Sequence, residues 1–487
     1  MLKQKKLPKR YQRKRWDFLT QDKEGVLYIE DLSVKDITKK YGTPLYVMLE
    51  SKIRKKAREF LEAFPYPKVK IQYASKVNTN LEILRIMREE GLELDASSVG
   101  EIILGLLADF RPDQITFTNL YKSEQDICFA AQIGVQAITA DSIEELLRIG
   151  YVGEKLRKTI NVFLRFNPLI DYGKYTTRNQ QYGITPDLAK KAINIALRSY
   201  YINLVGFHFH GSYITDPKIY SIAARRLLKY AKYCNEKGNP ITHLDLGGGF
   251  PNECNDDKKY FSPKEMGPDF IKELVETLKE FDLPYPTLIF EPGKSLVMNA
   301  GVGLVEVISN KWHANRQTIM TDGSTYGFVP DVLIYKENYD ILPATQMNKP
   351  RVNHVRICGC TCDCIDIIDK HCHMPNLDPG DILSIMDIGA YSSVMASNFN
   401  TVRRAAMILL KEDGTTKLIR RRDRYSEMFA PELDVLKLAD PKELKNFYDI
   451  YRVNINKIWQ DLAPKNEDEQ NRKKRKKYEE QMNDMFD

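Results

Sequence analysis

Short apolar runs rich in β-branched and aromatic residues recur along the first 291 residues of the chain. They lie at 70–76 (KIQYASK), 92–97 (LELDAS), 114–119 (QITFTN), 135–140 (VQAITA), 160–166 (INVFLRF), 204–210 (LVGFHFH), 242–248 (THLDLGG) and 287–291 (TLIFE). Most are parted by amphipathic stretches: NLEILRIMREEG, SEQDICFAAQIG, PDLAKKAINIALRS, IYSIAARRLLKYAKYCNEKG and PDFIKELVETLKEF. Apolar residues there return every three or four positions, the spacing of one helix face, and several of the runs stop at glycine. Eight strands, each followed by a helix, over about 240 residues predict a (β/α)8 barrel of the α/β class. From 303 onward the pattern changes to strand-length pieces between turn residues: VGLVEVIS, RQTIMTDG, HVRICG, GDILSIMD and AAMILL. These predict a β-rich second domain. GVLYIEDLSV, near residue 25, is expected to join it. The chain thus divides into a basic extension (1–24), a strand segment belonging to the β domain (25–48), the barrel (49–302), the β-rich domain (303–430) and a charged extension (431–487).

Composition leaves that division unchanged. The 487 residues, 43% hydrophobic and 10% aromatic, are enough to fill the cores of two domains. No apolar stretch is long enough for a bilayer crossing, and the N-terminus, MLKQKKLPKRYQRKRWDF, lacks the apolar core of a secretory signal. A cytoplasmic protein with reduced thiols is expected. Charge changes the picture more. Residues 1–15 carry eight Lys or Arg and no acid, and RKKRKK (472–477) adds six more, which leaves 59 bases against 62 acids between residues 16 and 471. The body is therefore slightly acidic, and the formal charge of +7 belongs to the ends. Both ends are expected to be disordered, solvated tails, with contact to nucleic acid the lesser alternative.

A barrel of this kind does its chemistry on the rim where its strands end. Lys76 closes the first run, Asp95 lies in the second, Arg165 in the fifth and His210 closes the sixth; Gly247, Gly248 and Gly249 follow the seventh, and Glu291 closes the eighth. Three successive glycines let backbone N–H groups approach an anion, and loops after strands seven and eight are the usual phosphate site of this architecture. Lys294, in Glu291-Pro292-Gly293-Lys294, adds a cation at the same corner. A lysine ending a buried strand is costly unless its charge is paired or its amine is used covalently. A carboxylate such as Glu291 can keep a ring nitrogen protonated. Singly, the glycines are a flexible loop and His210 a hydrogen-bonded core histidine. Together, phosphate cradle, covalent lysine and ring-nitrogen acid describe a pyridoxal 5'-phosphate site.

One segment pulls elsewhere. ICGCTCDCIDIIDKHCHM (357–374) holds five of the eight cysteines and two of the seven histidines. Alone it resembles a metal nest, although structural zinc sites usually space their cysteines as Cys-x2–4-Cys. The competing expectation is that one thiol is catalytic and no metal is bound.

Longer motifs decide between them. YASKVN (73–78), LDASSVGE (94–101), GFHFHGS (206–212), LDLGGGFP (244–251), EPGKSLVMNAG (291–301), GCTCDCID (359–366) and GAYSSVMASNFN (389–400) span most of residues 25–425. Through them the chain resembles the barrel-type (fold type III) pyridoxal phosphate decarboxylases, and the EPGKS and GAYSS motifs are closer to the diaminopimelate branch than to the ornithine branch. The resemblance implies that Lys76 joins the cofactor, His210 lies on its ring and Glu291 meets its ring nitrogen. It places Gly247 to Gly249, Ser212 and Tyr391 at the phosphate, Asp95 and Arg165 near the ring, and Pro292, Gly293 and Lys294 at the same corner. Cys362 becomes the catalytic proton donor, while Lys294, Tyr335, Asp363 and Tyr391 become substrate-binding positions. A homodimer is implied, in which the cysteine loop reaches the partner's barrel. The expected reaction converts meso-diaminopimelate to L-lysine and CO2. The alternative substrate is a basic amino acid or polyamine precursor: ornithine, lysine, arginine or carboxynorspermidine. A non-catalytic subunit on this fold would have lost Lys76 or Cys362, and an amino-acid racemase would lack the cysteine loop. Departures from the family pattern touch the substrate end. Lys294 stands where the diaminopimelate branch has arginine, and Val329 precedes Pro330 where it has another. Asp363 replaces a glutamate, Cys360 replaces a proline, and the loop before Gly211 is one residue shorter.

Overall fold

The computed structural model describes residues 5–253, 260–313 and 316–436. Eight parallel strands close into a barrel: β1 (Val69–Ala74), β2 (Glu93–Ala96), β3 (Ile115–Thr118), β4 (Ala137–Ala140), β5 (Ile160–Arg165), β6 (Ile202–His208), β7 (His243–Asp245) and β8 (Thr287–Phe290). Six fall within the apolar runs, while β1 begins one residue and β6 two residues ahead of theirs; β8 pairs back onto β1 with Leu288 opposite Val69. Covered on both faces, such strands need nearly continuous apolar sequence; Leu94, Ala96, Ile138, Ala140, Val162 and Leu164 are all fully buried.

Helices return the chain between strands, and polar caps start them. Asn80, Ser98, Ser123 and Ser142 each accept a backbone N–H in the first turn of the following helix. The last long helix runs from Pro263 to Glu280, five residues earlier than its amphipathic stretch. Gly267 and Pro268 look like breakers in sequence. Gly267 is a packing residue instead: a Cβ there would stand 1.9 Å from the carbonyl oxygen of Ala63.

The β-rich part is one mixed sheet whose spine is the 13-residue strand Gly301–His313. Arg316–Thr321, Ile382–Met386 and Leu45–Leu49 pair with it directly. Leu45–Leu49, buried at all five positions, is the strand that enters the sheet from ahead of the barrel. GVLYIEDLSV does not: its residues form a small sheet of their own with Leu19–Gln21, because Glu30, at φ 51°, turns the chain after three residues. A further strand, Ile367–Met374, lies inside the cysteine segment and pairs with Asn353–Cys358.

The expected N-terminal tail is corrected. Leu7, Tyr11, Trp16 and Phe18 are buried in a core they share with Leu45, Val47, Val302, Leu304 and Ile408. Arg15, 8% exposed, pairs with Asp387 at 2.9 Å and Asp340 at 3.1 Å. An apolar residue every few positions outweighs the surrounding charge. Residues 437–487, including RKKRKK, lie outside the described residues. Residues 401–404 and 422–436 belong to a second unit, in which Arg404 bonds Asp423 at 2.7 Å. Among the described residues no helix is long and apolar enough to cross a membrane.

Candidate active site

The carboxyl ends of β1, β2, β6 and β8 converge on one buried group of charges. After β1 a single 3-10 turn, Ser75–Val77, delivers Lys76 to the rim, where its Nζ lies 3.5 Å from Asp95 Oδ2. Ser75 steadies this turn by donating to the Asp95 carbonyl and to Glu101. Burial works against the Lys76 charge, but Asp95 and Glu291 overcome it and raise its pKa. Asp95 is pushed up to about 7 by burial, then by Glu291, with Lys76 pulling the other way. Glu291 behaves oppositely. Burial opposes its ionisation, yet His208, His210 and Lys76 hold it well below the usual carboxylate range. His210 is drawn down to about 4 by burial and is therefore neutral; its Nδ1 accepts the Gly248 N–H at 3.2 Å.

The triple glycine folds against this group. The Glu291 N–H donates to the Gly247 carbonyl at 2.8 Å, and the Ala74 N–H to Pro292 at 3.1 Å, locking the turn, the end of β8 and the end of β1 together. Gly249 has φ 97°, and a Cβ on it would fall 1.7 Å from the Gly211 carbonyl oxygen; only glycine fits. Gly293 is also tightly packed, its Cβ position 2.8 Å from Val77. Arg165 bonds Asp141 at 3.1 Å and spreads over the Tyr182 ring at 4.3 Å, and Tyr182 hydrogen-bonds Ser212. Tyr391, at φ 60°, donates its backbone N–H to Val77 at 2.8 Å and lies 5.8 Å from the Tyr335 ring.

A family model described as the pyridoxal binding domain of pyridoxal-dependent decarboxylases matches residues 50–298. The chain belongs to the pyridoxal-dependent decarboxylases. It is 30% identical to the diaminopimelate decarboxylase of Methanocaldococcus jannaschii over 425 residues, covering 84% of this chain and 96% of that one. The Staphylococcus aureus diaminopimelate decarboxylase is 31% identical over 413 residues, 82% of this chain and 96% of that one. The crystal structure of the M. jannaschii enzyme in complex with L-lysine matches with a TM-score of 0.80 at 30% identity, covering 86% of this chain and 98% of that chain. A lysine/ornithine decarboxylase of Vibrio vulnificus, complexed with putrescine, shares the fold at 24% identity with a TM-score of 0.68, over 77% of this chain and 97% of that chain.

As a pyridoxal-dependent decarboxylase the chain uses pyridoxal phosphate, and its rim fits that group. Buried polar atoms without a protein hydrogen bond surround the site: Asp95 Oδ1, Arg165 Nε, His208 Nδ1, Asp245 Oδ2 and Glu291 Oε1. The glycine turn leaves room for an anion where any side chain would intrude.

Not every expected residue joins the cluster. Cys362 is exposed, and its N–H bonds Asn400 at 3.1 Å. Asp363 accepts from Tyr326 at 2.5 Å. Neither makes a described contact with Lys76. Lys294 is paired with Glu337 at 2.6 Å. At the end of strand Ile367–Met374, parity turns Cys372 inward at 6% exposure while His371 and His373 face out. Sequence reasoning gave no role to His208, Asp245, Asp141, Tyr182 or Glu337. His208 and Asp245 lie inside quoted motifs, but the signal that unites them is register, His208 standing opposite Asp245 across β6 and β7.

Proposed function

We propose that this decarboxylase acts on meso-diaminopimelate, releasing CO2 and L-lysine. The observation that carries the proposal is the Lys76 amine, 3.5 Å from Asp95 and electrostatically coupled to Glu291, in a chain whose M. jannaschii and S. aureus relatives are named diaminopimelate decarboxylases. Lys76 would carry the cofactor covalently. Gly247 to Gly249, Ser212 and Tyr391 would hold its phosphate, His210 its ring face and Glu291 its ring nitrogen. Asp95, Arg165, Pro292 and Gly293 shape the corner around it. Bound pyridoxal phosphate supplies an electron sink for the pair left behind when CO2 departs.

The chain's own part is proton placement. Lys76 must lose a proton before its amine can attack an aldehyde, and Asp95, titrating near 7, sits within reach to take it. Glu291 keeps its negative charge, so a ring nitrogen beside it stays protonated. The Cys362 thiol returns a proton to the substrate carbon that lost its carboxylate. We assign Cys362 to the partner subunit's site, and the working unit to a homodimer; its exposure, and the lack of a described contact with Lys76, support that reading. Asp363 and Tyr335 then meet the far end of the substrate. The protein works in the cytoplasm.

One observation favours a second substrate class. Lys294, the cation expected to meet a distal carboxylate, already holds Glu337. A basic amino acid or carboxynorspermidine, lacking that carboxylate, would leave the pair intact. The discriminating experiment is CO2 release by the cofactor-loaded protein from meso-diaminopimelate, lysine, ornithine, arginine and carboxynorspermidine. Preference for meso-diaminopimelate is the expected result; a strong preference for any of the others replaces it.

A further inference from the structure

Behind Glu291 lie two ionisable side chains that the chemistry above does not use. His208 and Asp245 stand opposite each other across β6 and β7, and with Glu291 they bring one ligand atom each within 4.8 Å of the others. All three are buried, at 0%, 0% and 2% exposure. His208 Nε2 lies 3.4 Å from Glu291 Oε2. Asp245 Oδ1 accepts the Gly247 N–H at 2.9 Å, tying the cluster to the glycine turn. Two carboxylate oxygens remain, Asp245 Oδ2 and Glu291 Oε1, both buried and both without a hydrogen bond. Two carboxylates this close and this dry cannot both be ionised. A proton shared between the two carboxyl groups would give both orphans a partner.

We propose that Asp245 is a neutral carboxylic acid that donates a hydrogen bond to the Glu291 carboxylate, and that Asp245 and His208 are positioning residues that keep Glu291 ionised for the cofactor's ring nitrogen. The proposal rests on the assignment of Glu291 to that nitrogen. The electrostatics agree with it. Burial and the Glu291 charge push Asp245 well above the carboxylate range. His208 is held below its ordinary value by burial, hence neutral, and its Nε2–H is free to donate. Lys76, His210, Arg165 and Asp95 are the other charged or titratable groups facing the cluster. The unit therefore carries one negative charge, on Glu291.

The test compares Asp245→Asn, Asp245→Ala and His208→Gln in the full chain. For each, affinity is measured for pyridoxal phosphate and for its 1-deaza analogue, in which the ring nitrogen is a C–H, with circular dichroism as the folding control. Asparagine is neutral and keeps an N–H to donate, so Asp245→Asn should retain pyridoxal phosphate affinity within about threefold. Asp245→Ala should lose about tenfold, the usual effect of removing one hydrogen bond to a charged group. His208→Gln, whose amide also donates, should fall between. All three should bind the deaza analogue as the parent does, because that analogue gives Glu291 nothing to hold. If Asp245→Asn loses as much as Asp245→Ala, Asp245 acts as an anion and the proposal fails. Equal losses for cofactor and analogue would mean a merely structural role, which also overturns it. A parent protein that binds both molecules equally well would instead remove the assignment of Glu291 itself.

Discussion

Gly249 and Asp95 show how single positions are held by their surroundings. At φ 97°, with the Gly211 oxygen where a Cβ would go, Gly249 tolerates no side chain. Gly249→Ala should cost about 3 kcal/mol through strain and steric clash together, seen as a lower melting temperature and weaker pyridoxal phosphate binding. Asp95 makes a prediction about pH. Its folded pKa, about 7, stands above the unfolded value. Its contribution to stability is then complete below the unfolded pKa of about 4 and is lost as pH rises through 7. The cofactor-free protein should lose on the order of 2 kcal/mol between pH 5 and 8 from this group, and Asp95→Asn should flatten that part of the melting profile. At this scale Lys76, Glu291 and the glycines were legible, because strand ends and glycine runs are linear signals. His208 and Asp245 were not, since their meaning depends on each facing the other.

Elements were predicted best where burial is uniform. The barrel strands announce themselves because both faces are covered and the apolar runs are unbroken. The helix Pro263–Glu280 was legible only in its second part, its first turns being disguised by Gly267 and Pro268. Its start is set by a capping box, Ser262 accepting from Glu265 and Glu265 returning the bond to Ser262. Ser262→Ala should cost about 1 kcal/mol in chemical denaturation and leave cofactor affinity unchanged, since the described side-chain bonds of the cap stay within its own turn. Strand Ile367–Met374 was hidden for the opposite reason. Cysteine and histidine drew attention to metal chemistry, whereas the alternation of its last four residues, Cys372 and Met374 inward and His371 and His373 outward, is that of a half-buried strand.

Across the whole molecule, residues 5–18 carry weight that their charge conceals. Asp387 bonds Arg15, Trp16 and Asn299 together. Arg15→Ala would leave Asp387 buried without its main cation and should cost about 3 kcal/mol in urea denaturation; an unchanged midpoint would mean the segment is not packed in solution. Deletion of residues 1–15, which removes Leu7, Tyr11 and Arg15 from their buried contacts, should lower that midpoint as well. The dimer makes its own. If Lys76 and Cys362 of one site come from different subunits, inactive Lys76→Ala and Cys362→Ala proteins, mixed and allowed to exchange, should regain about a quarter of parental activity, because half the random pairs carry one intact site. No recovery after verified subunit exchange would put both residues in one chain's site.

What the sequence by itself determined is whatever local order encodes: eight apolar runs, the helical faces between them, and the lysine, glutamate and glycines at their ends. Periodicity and strand-end position are properties of a line, so they survive without a fold. Only the tertiary structure decided that a basic segment is part of a core, that Leu45–Leu49 lies inside a distant sheet, and that Lys294 already holds Glu337. It alone sets His208 and Asp245 against Glu291. Each of these turns on which residues meet across long stretches of chain, and there the energy of burial and the register of strands decide which charges stand alone.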